Sequence, residues 1–339
     1  MNRSLRRSFW TQVTPLPLPS ASFAQKTIVV TGANRSLGLE AARHFVRLNA
    51  SKVILGCRSL SRGEDAKRDI ERSQGVTGIV EAWEVDLGSF DSVRRFCQRV
   101  AELPRLDAVI ENAGMATSEF GLYEGYERQV TVNVISTYLM ALLLLPTLRR
   151  TYDRFYNTAH VAPDDRPHLV IVSSNAHFYA PCQHQQSSSV FGPFQHIESS
   201  MYLRYQDTKL ISLLVGRAIS ENMQRPDGNI PVVLNMVCPG YCKTDLGREK
   251  PWPPLWTAIF TVTDRILART AEMGSRTLVM AASAGLVSHG MYLEDCKLST
   301  PSDFVRSGNG EKMQQQAFTE LMLILEGIEP SVQFGPPGG

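Results

Sequence analysis

From Lys26 onward, short apolar runs alternate with longer stretches of mixed character. The runs at 27–31 (TIVVT), 52–56 (KVILG), 106–110 (LDAVI) and 168–172 (HLVIV) are rich in Val and Ile and only strand-length, which predicts strands buried on both faces. Residues 78–85 and 230–237 complete a set of six. The segments between them predict helices over 37–49, 61–73, 89–103, 125–150 and 200–224, with a further helix near the C-terminus. Strands separated by helix-length segments imply βαβ crossovers. The expected fold class is α/β: a Rossmann-type doubly wound parallel sheet, in a single domain with helices on both faces.

Two segments break this rhythm. Residues 176–199 read as an insertion carrying His177, Phe178, Tyr179, Phe191 and Phe194 around a Gln/Ser run. Residues 241–270 carry Trp252, Trp256 and Phe260 among prolines and read as a substrate lid. Both follow strand C-termini, where doubly wound sheets bind ligands. The expected organisation is an Arg- and Pro-rich arm at 1–25, a domain at 26–326, and a Gly/Pro-rich tail at 327–339 that frays.

Composition narrows the function classes. The chain has 35 Lys and Arg against 33 Asp and Glu, a formal charge of +2, and lacks the basic excess of a nucleic-acid binder. Its six cysteines are scattered without a metal-ligand spacing, which points to free thiols and to no metal site. The longest apolar run, 138–148, contains Pro146 and is shorter than the ~20 residues that cross a bilayer, so no integral span is expected. These features favour a cytoplasmic protein. The Arg-rich start, with no acid before Glu40, keeps mitochondrial targeting as the minor alternative. Nothing in the composition decides whether the chain forms a homo-oligomer.

Candidate chemistry begins between the first strand and helix, at Thr31-Gly-Ala-Asn-Arg-Ser-Leu-Gly38. Glycines there let a backbone approach a pyrophosphate, and the helix N-terminus supplies free N–H groups. An acid about 20 residues on would hold a ribose 2′-OH, whereas Arg accommodates a 2′-phosphate. Arg58 stands at that place, and Arg35 adds a second cation in the turn, so NADP(H) is the expected cofactor. Tyr205 and Lys209 lie four apart on one helical face. An ammonium about 4 Å from the phenol, at an effective dielectric of about 20, would stabilise the phenolate by about 4 kcal/mol and lower its pKa by up to about three units. Ser174 follows the fifth strand, Asn112-Ala-Gly114 ends the fourth, Asn133 interrupts the long helix, and Pro239-Gly240 ends the sixth with Thr244 beyond.

These motifs, with Asp86 after the third strand, resemble the short-chain dehydrogenase/reductase family, single-domain branch, in the family's order over about residues 26–295. The resemblance implies that Tyr205 exchanges a proton with a carbonyl or alcohol oxygen that Ser174 polarises. Lys209 would bind the nicotinamide ribose and lower the Tyr205 pKa, and Asn133 would anchor a water leading to Lys209. Gly32, Asn34, Arg35, Ser36, Leu37, Gly38, Arg58, Asp86, Asn112, Gly114, Pro239, Gly240 and Thr244 would line the cofactor with Tyr205 and Lys209; Asp86 would meet adenine and Thr244 the carboxamide. The 31-residue step from Ser174 to Tyr205 is similar to that of retinol-dehydrogenase-like and fungal secondary-metabolite reductases.

Two residues depart from the family pattern: Ser36 stands where the second glycine of the turn is usual, and Glu111 where many relatives have Asn. The expected activity is NADP-dependent interconversion of a carbonyl and an alcohol on a lipophilic small molecule, the aromatic segments suggesting its apolar character. The alternative is a non-catalytic, NADP-binding regulatory or interaction protein on the same fold. A serine hydrolase using Ser174 and His177 lacks a GxSxG elbow.

Overall fold

The structure is a computed structural model; it describes residues 12, 14–157, 165–181, 189–195, 201–244, 246 and 267–332. The six predicted strands form as β1 (Thr27–Thr31), β2 (Lys52–Cys57), β3 (Val80–Glu84), β4 (Ala108–Glu111), β5 (His168–Val172) and β6 (Val233–Cys238). Four short strands were not predicted: the separate antiparallel hairpin Leu122–Tyr123 and Tyr126–Glu127, and two that join the main sheet, β7 (Tyr292–Glu294) and β8 (Lys297–Ser299). β7 and β8 complete an eight-stranded sheet in the order β8-β7-β6-β5-β4-β1-β2-β3. All neighbours are parallel except β7 and β8, which form an antiparallel hairpin at the edge.

The helices are α1 (Ser36–Arg47), α2 (Leu60–Gln74), α3 (Phe90–Ala101), α4 (Arg128–Phe155), α5 (Met201–Glu221), α6 (Ala271–Ala281) and α7 (Gly308–Ile328). Side chains alternate strictly across the sheet, as the two-residue strand period requires. Ile28, Val30, Val53, Leu55, Val170 and Val172 pack with α1, α2 and α6. Val29, Ile54, Val109, Leu169 and Ile171 pack with α3, α4, α5 and α7. β1, β2, β4 and β5 are therefore apolar on both faces, which is why periodicity showed continuous runs. Helix α4 is long and apolar enough to cross a membrane, yet most of it is buried inside the protein as a core helix.

The ends of the chain are more integrated than the sequence suggested. Phe23 is buried edge-on against Phe45 at 4.8 Å, its backbone N donates to Leu48 O at 2.8 Å, and Arg47 donates to Pro19 O at 2.8 Å. The part of the arm around Pro19–Phe23 thus packs on α1; residues 1–11 and 13 lie outside the described residues. The fraying expected from 327 starts too early: α7 runs to Ile328, Arg94 pairs with Glu329 at 3.1 Å, and Val332 is buried. Residues 333–339 lie outside the described residues.

Candidate active site

The turn after β1 and the end of β4 interlock. Gly32 adopts φ +63° and its N–H donates to Gly56 O at 2.7 Å. The Thr31 hydroxyl accepts from the N–H groups of both Asn112 and Ala113 at 3.0 Å, and the Asn112 side chain donates to Thr31 O at 2.9 Å. A Cβ on Gly38 would stand 2.5 Å from Gly32 O and 2.6 Å from Asn112 Nδ2, so only glycine lets α1 begin this close to the sheet. Arg35, extended at φ −170°, makes no side-chain cap on α1, and no acid sits in the first turn. Asn34 is half-buried in the turn, and Leu37 lies against Gly274 of α6. Thr31 was overlooked as a functional residue, although it opens the motif.

Ser36 is the exception in this cradle. It adopts φ +52°, the left-handed region that favours glycine, and its hydroxyl is buried with no hydrogen-bond partner. Backbone strain of this kind costs on the order of 1–2 kcal/mol. Arg58, one residue past β2, is exposed and makes no hydrogen bond or ion pair with the described residues. Asp86, past β3, accepts from Gly88 N at 2.9 Å.

The sequence-predicted catalytic residues converge at the ends of β4 and β5. Ser174 is extended at φ −159° and caps the short 3-10 turn Asn175–Tyr179, accepting from Ala176 N at 3.1 Å. Its hydroxyl is also hydrogen-bonded to the Tyr205 phenol. The Ser173 hydroxyl, by contrast, is buried without a partner among the described residues, on the opposite side of the chain as strand alternation requires. Asn133 lies in a π-helical turn, Thr131–Ile135, at the start of α4. It accepts from Met115 N at 2.8 Å and donates to Met115 O at 2.8 Å and Thr208 Oγ1 at 3.1 Å. A Cβ on Gly114 would stand 3.3 Å from Asn133 Oδ1 and 3.9 Å from Lys209 Nζ, so this glycine keeps open the gap between them.

One electrostatic expectation is corrected. Lys209 Nζ sits 5.8 Å from the Tyr205 ring centroid and donates instead to Val172 O at 2.7 Å. Burial pushes the Tyr205 phenol up to about 12, offset only in part by the Ser174 hydrogen bond, and pushes Lys209 down to about 8. Desolvation of two hydroxyl- and amine-bearing side chains in one dry corner outweighs their mutual attraction.

Beyond β6, Pro239 is buried and Gly240 adopts φ +81°, while Thr244 is half-buried and its hydroxyl faces Leu246 N at 3.5 Å. Of the lid, residue 245 and residues 247–266 fall outside the described residues, and with them Trp252, Trp256 and Phe260. The aromatic insertion is corrected in part. Phe191 and Phe194 are buried in the core against α4, α5 and α7, held there by Glu320, which accepts from Val190 N at 2.9 Å and Phe191 N at 3.1 Å. An aromatic ring in an insertion reads identically whether it faces a ligand or the core. Phe178 and Tyr179 do remain exposed beside Ser174. His177 Nδ1 meets the carbonyl of Ser174 and not its hydroxyl, so no Ser–His relay is formed.

Comparison with known proteins follows the same lines. The short chain dehydrogenase family model matches residues 26–161. A short chain dehydrogenase/reductase of Cryptosporiopsis sp. is 40% identical over 324 residues, covering 94% of this chain and 95% of the relative. The chain is a short-chain dehydrogenase/reductase. A short chain dehydrogenase of Emericella nidulans is 44% identical over 294 residues, covering 86% of this dehydrogenase/reductase and 90% of the relative. Among solved structures, an uncharacterized protein from Mycobacterium paratuberculosis superposes with a TM-score of 0.67 at 24% identity, covering 94% of this chain and all of that one. The NADPH-bound carbonyl reductase from chicken fatty liver gives 0.59 at 17% identity, covering 82% and 99%. At such identities the likeness is one of fold. The short-chain dehydrogenase/reductase assignment accounts for the placement of the turn, the serine and the Tyr–Lys pair on one end of the sheet.

Proposed function

We propose that this short-chain dehydrogenase/reductase is an NADP(H)-dependent enzyme that interconverts a carbonyl and an alcohol on a lipophilic small molecule, as in the tailoring of secondary metabolites. The observation that carries this reading is the hydrogen-bonded Ser174–Tyr205 pair, with buried Lys209 four residues along the same helix. The cradle of Gly32, Ser36, Gly38 and Asn112 at the uncapped start of α1 fits a pyrophosphate, and the orphaned Ser36 hydroxyl is a donor in need of an acceptor. Arg58, exposed and unpaired at the end of β2, suits a 2′-phosphate. Gly114 and the ammonium of Lys209 line the space on the other side.

When bound, the nicotinamide supplies or accepts a hydride. The chain's own residues do the rest. The Ser174 and Tyr205 hydroxyls hold the substrate oxygen between them, Ser174 donating a hydrogen bond that polarises it. Tyr205 gives the proton on reduction and takes it on oxidation. Lys209, held by Val172 O, keeps a positive charge beside the phenol below about pH 8. Asn133 fixes the Gly114–Met115 backbone against Thr208, the neighbour of Lys209 on α5. Exposed Phe178 and Tyr179 next to Ser174 favour an apolar substrate. We also take the protein as cytoplasmic, in keeping with the free thiols at Cys57, Cys97, Cys238, Cys242 and Cys296.

The strained Ser36 favours a second reading, a cofactor-binding protein without catalysis. The test is NADPH oxidation with a panel of apolar ketones, aldehydes and diketones. Turnover by the wild type that Tyr205→Phe abolishes supports the enzyme; NADPH binding with no turnover on any carbonyl, in both proteins alike, would leave only the second reading.

A further inference from the structure

Behind Ser174 lies a polar seat that the catalytic scheme does not use. His177, on the turn Asn175–Tyr179, is 2% exposed. Its Nδ1 lies 2.7 Å from Ser174 O, and its Nε2 lies 3.2 Å from the backbone N of Ser302. A backbone N–H can only donate, so Nε2 is the acceptor and the proton resides on Nδ1, donated to Ser174 O. Geometry alone therefore selects the tautomer. Burial pushes the imidazole down to about 4, so the ring is neutral at ordinary pH.

The seat is braced on every side. The His177 ring packs edge-on against Tyr292 at 5.2 Å and lies 4.2 Å from Phe178. The Tyr292 hydroxyl donates to Asn175 Oδ1 at 2.8 Å, and Asn175 donates to Glu294 at 2.5 Å. Ser174 O also receives the His177 backbone N–H at 3.3 Å. The carbonyl of Ser174 is thus locked from behind while its hydroxyl reaches forward to Tyr205. Ser302 belongs to the segment between β8 and α7, so this imidazole ties the C-terminal part of the chain to the backbone of Ser174 itself.

We propose that His177 is a positioning residue that aims the Ser174 hydroxyl at the substrate oxygen by bridging Ser174 to Ser302. The inference rests on the function proposed above, because it presumes that Ser174 acts on a carbonyl. His177→Phe keeps a ring of similar size and removes both hydrogen bonds. His177→Asn can place an amide N–H near the Nδ1 position and restores the bond to Ser174 alone. With a ketone that the wild type reduces, His177→Phe should lose about tenfold or more in kcat, since small misplacements of a reacting group are costly. KM and NADPH affinity should stay within about twofold, and His177→Asn should recover most of the loss. Unchanged kcat in His177→Phe, or equal losses in both variants tracking their melting temperatures, would overturn the proposal. Nitrogen NMR of the free wild-type protein at pH 7 reads the same bridge without turnover. A protonated Nδ1 with a bare Nε2, and Ser174 and Ala176 amide resonances that move in His177→Phe but return in His177→Asn, are expected. A protonated Nε2, or amides indifferent to both changes, would overturn it. If no carbonyl is reduced by the wild type, the function reading fails while the NMR result still decides on the bridge.

Discussion

The Lys209 ammonium donates to the carbonyl of Val172 at 2.7 Å and stands 5.8 Å from the centroid of the Tyr205 ring. The lysine is held in the dry end of the sheet, where burial pushes it down to about 8. Its folded value lies below its unfolded value of about 10.4, so between the two the unfolded chain binds more protons and stability rises with pH. At pH 7 the charge is present in both states and its burial works against folding, by roughly 3 kcal/mol on that shift. Lys209→Met removes this cost and loses a hydrogen bond worth about 1 kcal/mol. The variant should therefore be catalytically dead yet about 2 kcal/mol more stable at pH 7. Denaturant titrations at pH 7 and pH 9.5 check this: the gain should shrink at the higher pH, and a destabilised variant at both would refute it.

Ser36 carries a strain that its natural alternative would not. At φ +52° a glycine is more comfortable by about 1 kcal/mol, so Ser36→Gly should raise the melting temperature by about 2 °C. Ser36→Ala keeps the strain and deletes the orphaned hydroxyl. If that hydroxyl meets the cofactor's pyrophosphate, the Ala variant should bind NADPH more weakly by about tenfold or more, the worth of one hydrogen bond of about 1.5 kcal/mol to an anion. Calorimetric titration of both variants separates the two effects; equal NADPH affinity in wild type and Ser36→Ala would show that the hydroxyl points elsewhere.

What the sequence disclosed, and what it withheld, follows from the same physics. β1 and β5 were bounded correctly because an apolar side chain on each face leaves no ambiguity in a five-residue run. β7 and β8 were invisible because three residues do not establish a period of two. Ser174 was separable from Ser173 by alternation, and Tyr205 and Lys209 share a helical face as their spacing requires. Which way the long lysine side chain turns was not legible, because it depends on the carbonyl of Val172 from a distant strand. Phe191 and Phe194 were misjudged for a related reason: their anchor, Glu320, lies some 130 residues away on α7.

On the proposed reading, Arg58 is the residue that sets the cofactor preference. It is exposed past the end of β2 and unpaired among the described residues. A charge-assisted hydrogen bond to a 2′-phosphate would contribute about 1.5–3 kcal/mol. Arg58→Asp should weaken NADPH binding by about 10- to 100-fold and leave NADH binding nearly unchanged. Fluorescence titration with both nucleotides is the measurement, and a parallel loss for NADH would mean that Arg58 does not contact a phosphate.

Glu111 is the remaining departure from the family pattern, and its environment gives it a pH signature. It follows Val109 and Ile110 on β4, so alternation turns its side chain toward α3 and α4, into the core. Both carboxyl oxygens are buried without a hydrogen bond of good geometry, and burial pushes the group up to about 8, with the Thr31 hydroxyl offsetting this only in part. The folded value lies above the unfolded one of about 4.3, so the neutral acid is the form that the fold prefers. The stability linked to it is present in full below about pH 4 and is lost as pH rises towards and past 8, by on the order of 5 kcal/mol in total. Glu111→Gln has no proton to lose. It should lie within about 1–2 kcal/mol of the wild type at pH 5 and exceed it by several kcal/mol at pH 9. Denaturation midpoints at the two pH values measure the difference, and a Gln variant shifted equally at both would show that Glu111 does not titrate with folding.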